Sequence, residues 1–389
     1  MPCVNLNDLK YLVTYNPAEP KSITIESSSG VFARTDDISY YYFQFSDHNS
    51  FKIFDIETII PPKILSKIRK GKIFLVLDNG LEPFLRSADG IYHNLVITGK
   101  IPAKQIIFMS SVPTMIDHVR SLAKKLNQEV INVEWFSMFE YQLWDVISHQ
   151  LTTPLSTLEI KSYKKKFINF NRRWRLHRPL MMILLKDRNL LNSGYISFGQ
   201  SDFHNDTWDS RWNELLRYYH DNNKILDILN RNQDIKNFPP MYLDTKDLVT
   251  NRAEQTNSTD KYYLETYFSL VNETTYNTKP GYDGVPFLSE KIFKCIAMKH
   301  PFVMVTAPNS LKYLRDLGYM TFENIIDETY DSIIDDGERA IAIVNEVERL
   351  CRLQGEELNN FLVESKKICN YNYNILKNKK NFIRKMNGV

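Results

Sequence analysis

Apolar and polar positions along the chain alternate in a way that predicts strands followed by helices. In the first half, SITIES (22–27) and the aromatic run YYYFQF (40–45) fit strands, and IPPKILSKIRKG fits a helix ending at Gly71. KIFLVLD (72–78) is a short apolar strand that runs into the turn NGLEPF, with a helical segment following to Gly99. QIIFMS then predicts a strand, PTMIDHVRSLAKKL a helix and EVINVEWF a further strand. Strands alternating with helices at this spacing imply a parallel sheet.

The second half repeats the pattern. LTTPLSTLEIKSYKKK (151–166) lacks apolar periodicity and has the Thr, Ser and Pro of a linker. KFINFN (166–171) restarts the series as a strand, the turn RRWRLHRP follows, and PLMMILLKDRNLL is a helix. Residues 197–260 are polar, with one helix expected over WDSRWNELLRYYHDNNKILDIL (208–229), and YFSLVNET (267–274) resumes as a strand.

In PFLSEKIFKCIAMKHP (286–301), Ser289 is placed to cap a helix whose buried face is Ile292, Phe293, Ile296 and Ala297. That helix is expected to stop at Lys299 and His300, whose charges suit a C-terminus, before the buried strand FVMV (302–305). NSLKYLRDLG predicts a helix, MTF a short strand and NIIDETYDSI a polar turn entering a helix. Residues 337–380 carry apolar positions at Ile341, Val344, Val347, Leu350 and Leu353 and predict a largely helical end, with the basic tail KNKKNFIRK fraying.

At 389 residues the chain is too long for one ordinary core, so two domains are expected, 1–155 and 156–380. The fold class is α/β, two Rossmann-like halves facing across a cleft, closed by C-terminal helices. A 43% hydrophobic content argues against disorder, and a net charge of +3 leaves no chain-wide electrostatic footprint for nucleic acid. Lys164 to Lys166 and the C-terminal lysines are the local basic patches. Cys3, Cys295, Cys351 and Cys369 show no CxxC pairing, which argues against zinc or a disulfide framework and favours a reducing compartment. No stretch reaches the roughly 18 apolar residues of a membrane span, so a cytoplasmic protein is expected.

Open parallel sheets bind ligands at the carboxyl ends of their strands, which marks Asp78, Asn79 and Glu82. A carboxylate there can act as a general base toward a hydroxyl acceptor; an Asp-Asn-Gly turn explains the same residues structurally. In the second half, Arg172, Arg173, Arg175, His177 and Arg178 crowd a strand-to-helix turn. Arginines there suit a diphosphate, since guanidinium gives bidentate and always-charged contacts; a purely structural basic turn is the alternative. Glu273 and Thr274 end a strand at the same edge. Ser289, Glu290 and Lys291 open a helix, where exposed N–H groups favour an anion, although charged residues at helix starts are ordinary. Asp202, His204 and Asp206 lack diagnostic metal spacing, and Asp335 and Asp336 read as a helix start. No GxxxxGK[ST] loop is present, which excludes a P-loop NTPase.

The segment SEKIFKCIAMKHPFVMV resembles the donor-site segment of GT-B glycosyltransferases of the fucosyltransferase and exostosin-like kind. NRRWRLHRP and LRDLGYMTFENIIDETYD resemble those of virus-encoded and bacterial enzymes related to that group. The resemblance covers roughly residues 166–339 and implies a sugar nucleotide, UDP- or GDP-linked, in the C-terminal domain. On that analogy Arg173, Arg178 and Lys291 bind the diphosphate with His177 and Ser289 beside them. Glu290 holds ribose or sugar hydroxyls, Glu273 and Thr274 line the pocket, and Asp78, with Glu82 near it, supplies the base. No metal and no cofactor beyond the donor are implied. The acceptor is a hydroxyl, on a glycan or on hydroxymethylated viral DNA. A non-catalytic nucleotide-binding or scaffold protein of the same fold is the other reading.

Overall fold

The computed structural model describes residues 31–35, 38–44, 60–80, 83, 85–148, 163–171, 174–198, 207–238, 241, 243, 260–280, 284–380 and 383–385. The expected strand at 22–27 lies outside them. The chain divides into two compact units, Met1–Met138 with Lys380–Val389, and Phe139–Lys379. Both are mixed α/β with parallel strands at their centre. Among the described residues, no helix is long and apolar enough to cross a membrane.

The first unit holds β1 (Val31–Thr35), β2 (Ile38–Gln44), α1 (Pro62–Arg69), β3 (Phe74–Asn79), α2 (Ser87–Gly90), β4 (Ile106–Ser110), α3 (Met115–Leu126) and β5 (Asn132–Phe136). Its sheet runs β1-β2-β3-β4-β5-β10, parallel from β2 to β5. The last strand, β10 (Ile383–Lys385), comes from the basic tail. It pairs antiparallel with β5 as Ile383↔Phe136, Arg384↔Trp135 and Lys385↔Glu134, so the expected fraying is corrected: the β5 edge offers unpaired backbone groups that the tail satisfies. The helical segment after β3 is also less regular than its pattern implied, because α2 passes into a π-helical stretch at Ile91–Thr98. Asn127 ends α3 in the left-handed region, a role its short amide tolerates.

The second unit opens with α4 (Met138–Ser148), whose first residue belongs to the first unit, and continues with β6 (Phe167–Asn171), α5 (His177–Asp187), β7 (Gly194–Phe198), α6 (Trp208–Tyr218), α7 (Asn223–Arg231), α8 (Asp260–Leu264), β8 (Phe268–Asn272), α9 (Glu290–Ala297), β9 (Phe302–Val305), α10 (Ser310–Asp316), α11 (Asp336–Arg352) and α12 (Gly355–Lys377). The sheet order is β7-β6-β8-β9, all parallel. The single helix expected over 208–229 is two, because the Asn222 side chain accepts from Ile225 N at 3.1 Å and starts a new helix. No strand forms at MTF: Met320 N donates to Asn372 Oδ1 at 2.8 Å and Phe322 N to Glu328 Oε1 at 2.6 Å, so side chains take the bonds a strand partner would. The following turn enters a 3₁₀ segment, Thr329–Ser332, before α11.

The end of α9 also differs from expectation. Met298 is its C-cap and Lys299 turns left-handed at φ 50°. His300 is buried and neutral: burial pushes its imidazole down to about 4, partly opposed by its bond to the Thr266 backbone. Nε2 donates to Thr266 O at 3.0 Å and Nδ1 accepts from Ser269 Oγ at 2.8 Å.

Asp335 and Asp336 do start a helix, and Asp336 does more. Arg339, 1% exposed, commits all five N–H donors: Nε to Thr306 O (3.2 Å), Nη1 to Ile333 O (2.7 Å) and Ile334 O (3.0 Å), Nη2 to Tyr276 O (2.9 Å) and Asp336 Oδ1 (2.5 Å). The guanidinium lies 4.3 Å from the Tyr276 ring centroid. Asp336 also accepts from Thr278 N (2.9 Å), Thr278 Oγ1 (3.1 Å) and the Tyr218 hydroxyl.

Two outcomes are expected. Arg339→Ala strands a buried carboxylate and should lower unfolding free energy in urea by about 3–5 kcal/mol, with Arg339→Lys giving little recovery. For His300, a folded-state value below the ordinary 6.5 means its stabilising contribution is present above that pH and is lost as pH falls toward 4, by up to about 1.4 kcal/mol per pH unit. The stability gap between wild type and His300→Gln should therefore narrow between pH 6.5 and 4.5; a gap that stays constant would contradict a buried neutral imidazole.

Candidate functional site

In the second unit the chain passes from β6 to β7 on one side and later places β8 on the other, so the direction of winding reverses between β6 and β8. Open sheets present a crevice at such a point, beyond the strand carboxyl ends. Here β6 and β8 share backbone register at Phe167↔Phe268 and Ile168↔Ser269. Further along, side-chain amides bridge the two strands. Asn169 Nδ2 donates to Leu270 O at 2.7 Å, Asn171 Nδ2 donates to Asn169 Oδ1, and Asn272 Nδ2 donates to Asn171 Oδ1 at 2.8 Å. All three are buried. Asparagines at alternate positions of FINFN, a strand otherwise wholly apolar, were the signal that reading by hydrophobicity alone passes over.

Glu273 leaves β8 at this edge with no solvent exposure. Its carbonyl accepts from His177 Nε2 at 3.1 Å and Arg178 Nη2 at 3.3 Å, so the first turn of α5 is tied to the end of β8. Because a carbonyl only accepts, His177 carries its proton on Nε2. Burial first, then the charges of Arg178 and Arg175, hold its imidazole well below the ordinary range, and its ring stacks on Tyr276 at 5.2 Å. Arg178 is 4% exposed and also reaches Asn272 O at 3.4 Å. Arg178, expected at a diphosphate, turns Nη2 to these two backbone carbonyls.

The Glu273 carboxylate organises the start of α9. Oε1 accepts from Ser289 N at 3.2 Å, while Oε2 accepts from Thr274 N at 3.3 Å and from the Ser289 hydroxyl. Burial raises the Glu273 carboxyl above its usual range, against the pull of Lys291. Ser289 Oγ, having given its one proton to Glu273, accepts from Lys291 N at 3.4 Å as the helix cap and from Lys291 Nζ at 2.9 Å. Lys291 Nζ also reaches Thr274 Oγ1 at 3.4 Å and Glu290 Oε1 at 2.8 Å. Lys291 is 28% exposed and Glu290 50%. The arrangement is a buried frame, Glu273 and Ser289, carrying an accessible pair, Glu290 and Lys291, on a helix N-terminus, which is chemistry suited to an anion.

In the first unit, Asp78 lies one residue before the end of β3; it is fully buried and its Oδ1 accepts from Gly80 N at 2.8 Å. Asn79 Nδ2 donates to Ser87 Oγ at 2.7 Å. The first bond belongs to the Asp-Asn-Gly turn, and the second ties that turn to α2. Glu82, Arg173, Asp202, His204 and Asp206 lie outside the described residues. Among the described residues, no group of three or more His, Cys, Asp or Glu is placed to hold a metal ion.

No family model matches the chain, and no curated protein matches it. Among solved structures it is similar to the trehalose-6-phosphate phosphatase N-terminal domain of Candida albicans at 11% identity, covering 86% of this chain and 67% of that one with a TM-score of 0.39. A likeness that loose carries no argument about function.

Frame and accessible pair should separate in stability measurements. Ser289→Ala removes a cap and a donor to a buried carboxylate, and about 1–3 kcal/mol of unfolding free energy should be lost. Lys291→Ala should change it by less than about 1 kcal/mol. Equal losses for the two would mean that Lys291 belongs to the frame.

Proposed function

We propose that the chain is a nucleotide-sugar-dependent glycosyltransferase of GT-B type, acting in a cytoplasm on a glycan hydroxyl or a hydroxymethylated DNA base. The observation that carries this is Lys291. Its ammonium is accessible at the N-terminus of α9 and is held there by Ser289 and Thr274, in a segment that resembles the donor-site segment of that group. The diphosphate of a UDP- or GDP-sugar takes the Lys291 charge and the helix dipole, with Arg173 as a further cation. Glu290 meets ribose or sugar hydroxyls, and Thr274 lines the pocket. Glu273, His177 and Arg178 position these groups without touching the donor.

A second reading has an observation of its own. Asp78 is fully buried and hydrogen-bonded within its turn, which favours a nucleotide-binding protein that lacks a base at that position.

Calorimetric titration of the full chain with UDP-, GDP-, ADP-, CMP- and dTDP-sugars, with and without a divalent metal, tests the first reading. One nucleotide sugar should bind saturably, and Lys291→Ala should weaken it at least tenfold, about 1.4 kcal/mol. Absence of binding to all five would retire the proposal. Asp78→Asn keeps an acceptor for Gly80 N and should leave donor affinity intact; if donor turnover also survives, Asp78 is not the base.

A further inference from the structure

From Ser365 to Val389 the chain has no Asp or Glu, yet it holds Lys366, Lys367, Lys377, Lys379, Lys380, Arg384 and Lys385. Two longer runs without Asp or Glu, 90–116 and 160–186, occur elsewhere in the chain, so what distinguishes this one is how its individual lysines are paired. Within the second unit this run forms the later turns of α12. Two of its lysines are neutralised: Lys367 pairs with Glu364 at 2.6 Å and Lys379 with the buried Glu140 at 2.6 Å. Lys366 and Lys377 are not; among the described residues, no carboxylate pairs with either of them or with Lys299.

Lys366, Asn370, Tyr373 and Lys377 are spaced i, i+4, i+7 and i+11, which sets them in one row along α12. Both lysines are exposed and Asn370 and Tyr373 are half-buried. Lys299 joins the row from the end of α9, with Nζ 4.6 Å from the Tyr373 ring centroid.

The backbone at Lys299 is an independent observation. His300 N donates to Cys295 O at 2.9 Å and Lys299 N to Ile296 O at 3.1 Å, a Schellman ending that puts Lys299 at the left-handed position. Glycine occupies that position without strain, whereas the Cβ of lysine is strained there. Burial, then the charges of Lys377 and Lys366, also draw the Lys299 ammonium below its ordinary range. Lys299 follows the end of α9 and Lys377 is the last residue of α12, positions the dipole favours, but Lys366 lies mid-helix, where it does not.

We propose that Lys299, Lys366 and Lys377, with Asn370 and Tyr373 between them, form a face that binds the phosphate backbone of a nucleic-acid strand. The row is about 16 Å long at 1.5 Å per residue, the reach of several phosphates. Uncompensated charges of one sign in a line suit a linear polyanion, and the amide and phenol between them add donors for phosphate or base edges.

The test is fluorescence anisotropy of the full chain with a labelled single-stranded oligonucleotide of about 20 nucleotides, without nucleotide sugar, so its outcome is separate from that of the donor site. Three cations predict a log–log salt slope of about −2 to −3. Lys366→Glu with Lys377→Glu should weaken binding at least tenfold and flatten the slope. Lys299→Gly should weaken binding severalfold while unfolding at an equal or higher temperature, a combination that a merely structural lysine would not give. The proposal is overturned by no saturable binding at 50 mM salt, by binding that the double variant leaves unchanged, or by a polyglutamate peptide of equal charge binding more tightly than the oligonucleotide.

Discussion

The five donors of the buried Arg339 guanidinium are the constraint around which the second unit closes. They reach the segment after β8 at Tyr276, the end of β9 at Thr306, the approach to α11 at Ile333 and Ile334, and Asp336 within α11 itself. Through Asp336 the same node takes in Tyr218 at the end of α6 and Thr278. A buried charge persists only when it is paired and its donors are filled, so these segments have one mutual arrangement that satisfies it. The loop leaving β8 is therefore held at both ends, by Arg339 beyond Tyr276 and by the bonds of His177 and Arg178 to the Glu273 carbonyl.

That anchoring decides what the sheet edge can offer. Glu273 is buried and its carboxylate is turned to the cap of α9, so it shapes the helix start without facing solvent. Lys291 receives a fixed position from Ser289 and Thr274 but keeps its ammonium accessible. Of the seven described residues expected at the donor edge, His177, Arg178 and Glu273 are bonded to neighbouring elements, Ser289 caps α9, and Thr274, Glu290 and Lys291 keep some solvent exposure. The physical division is between groups buried in hydrogen bonds within the protein and groups that keep solvent exposure.

The parallel α/β architecture is legible in the sequence, because strand cores such as KIFLVLD and FVMV and amphipathic helices such as PTMIDHVRSLAKKL carry their periods locally. So are the β6 end at Asn171 and the Ser289 cap, and the β3 and β8 ends to within one or two residues, since caps and strand termini are written in a few adjacent residues. Which polar groups end up satisfied inside the protein is not legible there. His300 reads as a charged helix end and is a neutral core histidine; Arg178 reads as a phosphate ligand, and its Nη2 is bonded to backbone carbonyls; the tail reads as fraying, and its residues 383–385 are an edge strand. In each case the deciding partner, Ser269, the Glu273 carbonyl or β5, is remote in sequence. Those roles come from tertiary structure, because desolvation and hydrogen-bond completion depend on the groups that surround a residue in space, whereas helix and strand periodicity depends on its near neighbours along the chain.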